Sequence, residues 1–157
     1  MPTITKSAAS ATKASPVVAS LNTALASSYA LMANTHYAHW NVEGSGFFSL
    51  HAAFQSQYEA LFEAVDEIAE RIRALDHYAI GGLRNLADKA GIEEFSHPVA
   101  AKDFIAALIV GHEKVIADLI TLRDTSEAAK DLETQDLAIG RIQWHQKTVW
   151  MLKSVLK

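Results

Sequence analysis

The sequence predicts an all-α fold: a four-helix bundle with a short extra helix in the crossover between the second and third long helices. Apolar residues recur at steps of three and four along four long segments, the helical rather than the strand period. Glycine and proline punctuate the chain between segments, at Gly44 and Gly46, at Gly81 and Gly82, and at Gly91 and Pro98. No strand pattern competes with this reading.

Residues 1–15, MPTITKSAASATKAS, are small and polar with no acidic side chain, and read as a flexible arm ahead of one domain at 16–157. The first long helix starts near Pro16, a residue tolerated in a first turn. It presents Leu21, Leu25, Tyr29 and Met32 and runs through His39 to about Val42. Ser49 is expected to cap the second helix, which turns Leu50, Phe54, Tyr58, Leu61, Val65, Ile68, Ile72 and Leu75 to one side and ends near Asp76. A short helix at about Leu83–Ala90 occupies the crossover. The third long helix spans about Ala100–Ala129, with Phe104, Leu108, Val115, Leu119 and Leu122 inward. The fourth spans about Thr134–Leu156, and its Trp144, Trp150 and Met151 read as packing residues.

At 157 residues the chain suits one domain with a real core. With 50% hydrophobic and 20% charged residues, it has the composition of a soluble protein. It has no cysteine, which excludes disulfides and thiolate metal sites and fits a reducing compartment. No apolar run approaches the roughly 18 residues of a membrane span, and no signal peptide is visible. A cytoplasmic location is therefore expected. The net charge is −4 overall; setting aside Lys6 and Lys13 of the arm leaves an acidic body at −6.

The candidate chemistry lies between His39 and Glu70. Two imidazoles, His39 and His51, and two carboxylates, Asp66 and Glu70, form a ligand set suited to iron. Asp66 and Glu70 are four residues apart, so they share one face of the second helix. His51 precedes Asp66 on that helix by fifteen residues, about 22 Å at the helical rise. One helix cannot bring both to one ion. A second copy running antiparallel across a two-fold axis can, giving two equivalent sites in an isologous dimer. His39, across a short glycine-containing turn, can approach His51.

Around these residues the chain reads His39-Trp40, Gly44, Phe47-Phe48, Leu50-His51, Phe54, Tyr58 and Asp66-Glu67-Ile68-Ala69-Glu70-Arg71. This resembles the signature of the Dps proteins, the DNA-protection-during-starvation miniferritins. The long crossover matches ferritin-like connectivity. The match is dense over about forty residues, and the helix layout extends it to nearly the whole chain after the arm. The resemblance implies a hollow tetrahedral dodecamer. It also implies ferroxidase centres at dimer interfaces, with His39 and His51 from one chain and Asp66 and Glu70 from its partner. It further implies oxidation of Fe(II), better with hydrogen peroxide than with oxygen, and storage of the ferric product as a mineral in the shell. One departure is Gln55, where many members have Asp or Glu; it brings no charge to the second iron position.

Other residues have weaker patterns. His36, three residues before His39, is within reach of an accessory metal but reads first as a surface or core histidine. Trp40 reads either as a core aromatic or, as the resemblance suggests, as a residue near the iron that intercepts oxidising equivalents. The Glu-x-x-His spacing of intrabundle di-iron sites occurs at Glu94–His97, in an expected loop, and reads as coincidence. His77, His97, His112 and His145 show no ligand partners in the sequence. Asp131, Glu133 and Asp136 cluster at the start of the fourth helix. They read either as helix-end electrostatics or as acids of a three-fold pore that draws in Fe(II), with Asp131 and Asp136 nearest the family's pore positions. The alternative function is DNA compaction through the lysine-bearing arm, with iron oxidation secondary. The acidic body makes weak, salt-sensitive DNA binding the expectation.

Overall fold

The computed structural model describes residues 15–157. Five helices follow in order: α1 (Pro16–Asn41), α2 (Phe47–Ala74), α3 (Leu83–Ala90), α4 (Ala101–Ala129) and α5 (Leu132–Val155). Four are long and form the bundle, and α3 is the short helix of the crossover. The arm falls outside the described residues except for Ser15, which caps α1 by accepting a hydrogen bond from the Val18 N–H at 3.3 Å.

Helix α1 is the central element, packed against α2, α3 and α4. Its small buried residues Ala24, Ala26, Ser27 and Ala30 let neighbours approach on several sides. The hydroxyls of Ser27 and Thr35 donate to carbonyls one turn back, so their burial leaves no donor unpaired. Gly111 of α4 sits where α1 comes closest: a Cβ there would lie 2.8 Å from Leu31 Cδ1. The crossover is tied down along α1. Asn22 Oδ1 accepts from the Ile80 N–H at 2.8 Å, and Asn34 Nδ2 donates to the Glu93 carbonyl at 2.8 Å. Between these anchors α3 buries Leu86 and Ala90. The crossover thus travels the length of α1, so α4 starts beside the end of α1, where Phe95 stacks on Tyr37 and meets Phe104 edge-on.

Every apolar residue expected to face inward on the third long helix, now α4, is buried, and so are Leu21, Leu25, Leu50, Phe54, Leu61, Ile68 and Ile72. Two helix starts differ from expectation. Ser49 does not cap α2; Gly46 does, at φ +83°, and Ser49 lies in the first turn with its hydroxyl donating to the Gly46 carbonyl at 2.9 Å. A left-handed glycine allows the chain to turn directly into Phe47, whose ring packs against the core. Helix α5 begins at Leu132, not Thr134, because the Asp131 carboxylate accepts from the Thr134 N–H at 3.1 Å and so caps the helix. Lys130, at φ +59°, closes the end of α4. Trp150 and Met151 are 65% and 42% exposed, so packing within this chain does not account for them. Among the described residues no helix is long and apolar enough to cross a membrane.

Candidate metal centre

The α1–α2 turn brings the two histidines together. Gly44 at φ +92° and Gly46 at φ +83° reverse the chain within a few residues, setting the last turn of α1 against the first turns of α2. His39 and His51 then stack, with ring centroids 3.7 Å apart and planes at 24°. Each imidazole bonds the other residue's backbone: His39 Nδ1 lies 2.9 Å from the His51 carbonyl, and His51 Nδ1 lies 2.9 Å from the His39 carbonyl. A carbonyl only accepts, so both Nδ1 atoms carry the proton. In each neutral ring the lone pair is therefore on Nε2. This arrangement, a ring fixed through one nitrogen with the other free to ligate, is how metal-binding histidines are commonly oriented. The His39 carbonyl lies in the last turn of α1, where no helical partner is available, so the His51 ring also completes that helix end.

His39 is buried and His51 half-buried. Phe47 packs 5.0 Å from His51, and Tyr58 stands edge-on to His39 at 5.3 Å. His36 lies between Trp40 and Tyr58, at 4.0 and 4.2 Å. Burial, then the charge of His39, lowers the pKa of His36. Gln55 does not turn to the histidines: its amide donates to Glu59 Oε1 at 2.8 Å.

Asp66 and Glu70 lie exposed farther along α2 and form no hydrogen bond or ion pair among the described residues. Nor do the described residues hold any group of three or more potential ligands that could bind a metal ion. One chain thus presents two separate groups, a stacked imidazole pair and a pair of exposed carboxylates. Between them runs an open groove of about 500 Å³ lined by Met32, His36, Tyr58, Glu59, Phe62 and Glu63. Phe62 and Trp40 are 65% and 63% exposed along this flank.

A model of the ferritin-like domain matches residues 18–157. Dps from Staphylococcus aureus superposes with a TM-score of 0.87 at 30% identity, over 90% of this chain and 95% of that one. The chain belongs to the Dps family of ferritin-like proteins. A Vibrio cholerae Dps, described as a member of the ferritin-like diiron-carboxylate superfamily, is similar at a TM-score of 0.86 and 29% identity, covering 90% of this chain and 89% of that one. A low temperature-induced protein of Nostoc is 36% identical over 90% of this chain and 80% of its own length. DNA protection during starvation protein 2 of Bacillus anthracis is 29% identical over 89% of this chain and 96% of its own length.

Within this Dps chain Asp131 has a structural role. Its carboxylate accepts from Arg71 Nη2 at 2.7 Å and from the Thr134 hydroxyl at 2.7 Å, while Arg71 Nε donates to that hydroxyl at 2.8 Å. Burial raises the Asp131 pKa, but the Thr134 bonds and the Arg71 guanidinium outweigh it and hold the carboxyl below its usual value. Glu133 and Asp136 are exposed. Glu94 and His97 lie in the loop before α4. One arrangement carries no signal in residue spacing, a buried contact between His112 of α4 and His145 of α5.

Proposed function

We propose that the protein oxidises Fe(II) at centres shared between two copies of the chain and stores the ferric product inside a closed dodecameric shell. The observation that carries this reading is the reciprocal His39–His51 clamp, which leaves two Nε2 lone pairs on one chain with no carboxylate of that chain near enough to join them. Asp66 and Glu70 of a partner, placed antiparallel across a two-fold axis, supply the oxygen ligands. The exposed Trp40 and Phe62 and the groove between the two half-sites favour a second copy as the cover of this face.

Fe(II) is the substrate here. Neutral imidazoles and ionised carboxylates suit it, and the two carboxylates offset the charge that builds as iron becomes ferric. With hydrogen peroxide as oxidant, two Fe(II) ions each give up one electron, the O–O bond breaks, and water supplies the remaining oxygen of the hydrated ferric product as protons are released. Both ingredients of hydroxyl-radical chemistry are consumed together, which protects the cell from oxidative damage. Gln55, bonded to Glu59, adds no charge, so the second iron is held less tightly than the first. Asp131 and Asp136, with the neighbouring Glu133, are placed to draw Fe(II) toward an entry pore, Asp131 also capping the helix that carries them.

The test is a crystal soaked anaerobically in Fe(II), with anomalous data at the iron edge. The expected peak lies between His39 and His51 of one chain and Asp66 and Glu70 of its partner. Iron bound only elsewhere contradicts the assignment.

A further inference from the structure

His112 and His145 face each other across the α4–α5 interface, fully buried, with their Nδ1 atoms 2.8 Å apart. The centre proposed above uses neither. Each has a buried Nε2 with no protein hydrogen-bond partner among the described residues, and the same holds for Arg141 Nη2 and Gln57 Oε1. These atoms belong to one region. The Arg141 guanidinium lies 4.5 Å above the Trp144 ring, which is 4.9 Å from His145 and 5.7 Å from His112. Gln57 is placed by register. Arg71 of α2 is bonded to Asp131 at the start of α5, and the two helices run antiparallel. Gln57 lies fourteen residues before Arg71, and His145 lies fourteen residues after Asp131. Fourteen residues is close to four helical turns, so Gln57 and His145 return to the same level and to the facing sides.

The donors and acceptors can be counted without choosing a tautomer. Two Nδ1 atoms bond only when one carries a proton and the other a lone pair. Burial, reinforced by the nearby Arg141 charge, keeps both rings neutral. The ring protonated at Nδ1 then offers a lone pair at Nε2, and the other ring offers an N–H there. With Arg141 Nη2 and Gln57 Oε1, the interior presents two donors and two acceptors. Leaving such buried groups unpaired is costly, and native interiors rarely do so.

We propose that the middle of the bundle is an internal water-binding site, in which one or more water molecules bridge His112, His145, Arg141 and Gln57. Water suits the set because each molecule both donates and accepts. A metal cation would meet one imidazole lone pair and the Gln57 oxygen, but also an N–H and a guanidinium that repel it. An anion would meet the Gln57 carbonyl oxygen and that same lone pair. An apolar guest would satisfy none of the four.

A crystal structure of the assembled wild-type protein, at a resolution that orders internal water, tests this, together with a Zn²⁺ soak measured at the zinc edge. The expected result is non-anomalous density within hydrogen-bond distance, about 2.7–3.2 Å, of both Nε2 atoms. Three results overturn the proposal: an interior free of density with the rings as described, rotated rings that pair all four groups with protein atoms, or a zinc peak on the histidines.

Discussion

His39 and His51 hold each other by two reciprocal bonds, each Nδ1–H donating to the other residue's carbonyl at 2.9 Å. The pair closes the α1–α2 turn and is also the proposed imidazole half of the iron centre, so a substitution at either residue is expected to affect structure and chemistry together. In His51→Ala one proposed iron ligand is lost and the His39 carbonyl loses its partner. Peroxide-driven Fe(II) oxidation, followed by stopped flow, is expected to fall by at least about 100-fold, the upper end of what losing a group that only orients a metal ligand costs. Stability to urea is expected to fall by only about 1 kcal/mol, since His51 is half-buried and water can reach the carbonyl. Oxidation at the wild-type rate would remove His51 from the centre.

Asp131 is expected to affect stability more than iron entry. Asp131→Ala removes a helix cap and leaves Arg71 without its carboxylate. A cap alone is worth about 0.5–2 kcal/mol, so a urea-measured loss of about 1–3 kcal/mol is expected. The Asp131 pKa is lowered in the folded chain. Its contribution is therefore present above the unfolded carboxyl value and fades as pH falls through the lower folded one. The variant and wild type should converge in stability only in strong acid.

The buried histidine pair gives a pH dependence in a different window. Burial, with Arg141 adding to it, holds the His112 pKa at about 3; burial, then His112 and Arg141, holds that of His145 at about 2. The unfolded chain takes up protons on both rings below about pH 6.5. The folded chain does not, so stability falls as pH drops from that point toward the folded values. Burial lowers the Arg141 pKa and the Glu67 charge opposes that shift, and an arginine stays protonated throughout this range. The double variant His112→Leu/His145→Leu is expected to flatten the stability profile between about pH 6.5 and 4, as read by urea unfolding at a series of pH values. An unchanged slope would place the acid sensitivity elsewhere.

Much of the fold was legible because its signals are local. Paired glycines and a terminal Gly91 bracket α3 at Leu83–Ala90, where the helix is found. Helix α2 starts three residues, and α5 two residues, before the expected positions: Ser49 resembles a standard cap, whereas a left-handed Gly46 and an aspartate bonded to the distant Arg71 define those ends. The meeting of His39 and His51 follows from a glycine turn between two helices, but their reciprocal bonds depend on ring rotation that no spacing reveals. The His112–His145 contact was not visible because the residues are 33 apart and meet only through the α4–α5 register. Trp150 and Met151 follow the helical period closely enough to pass as core, yet they lie on the outer face of α5.

The arm, carrying Lys6 and Lys13, lies outside the described residues, so its role is tested by removal. Deleting residues 2–14 is expected to leave ferroxidation unchanged, since no proposed ligand lies there. DNA binding is expected to be weak at physiological salt and lost on truncation even in dilute buffer, as for contacts that rest on a few phosphates. Gel shifts at two salt concentrations check this. Tight binding that survives truncation would locate a DNA surface on the body instead.

The most direct test of the shared centre is a mixed assembly. Chains with His39→Ala and His51→Ala keep their carboxylates, and chains with Asp66→Ala and Glu70→Ala keep their imidazoles. Each is inactive alone if the centre is shared. Purified dimers containing one chain of each kind bring an intact imidazole pair against an intact carboxylate pair at one of their two sites. Ferroxidation in these dimers is predicted to return to about half the wild-type rate per dimer, one site of two being rebuilt. Assembled mixed dimers no more active than either parent would contradict a centre built between two chains.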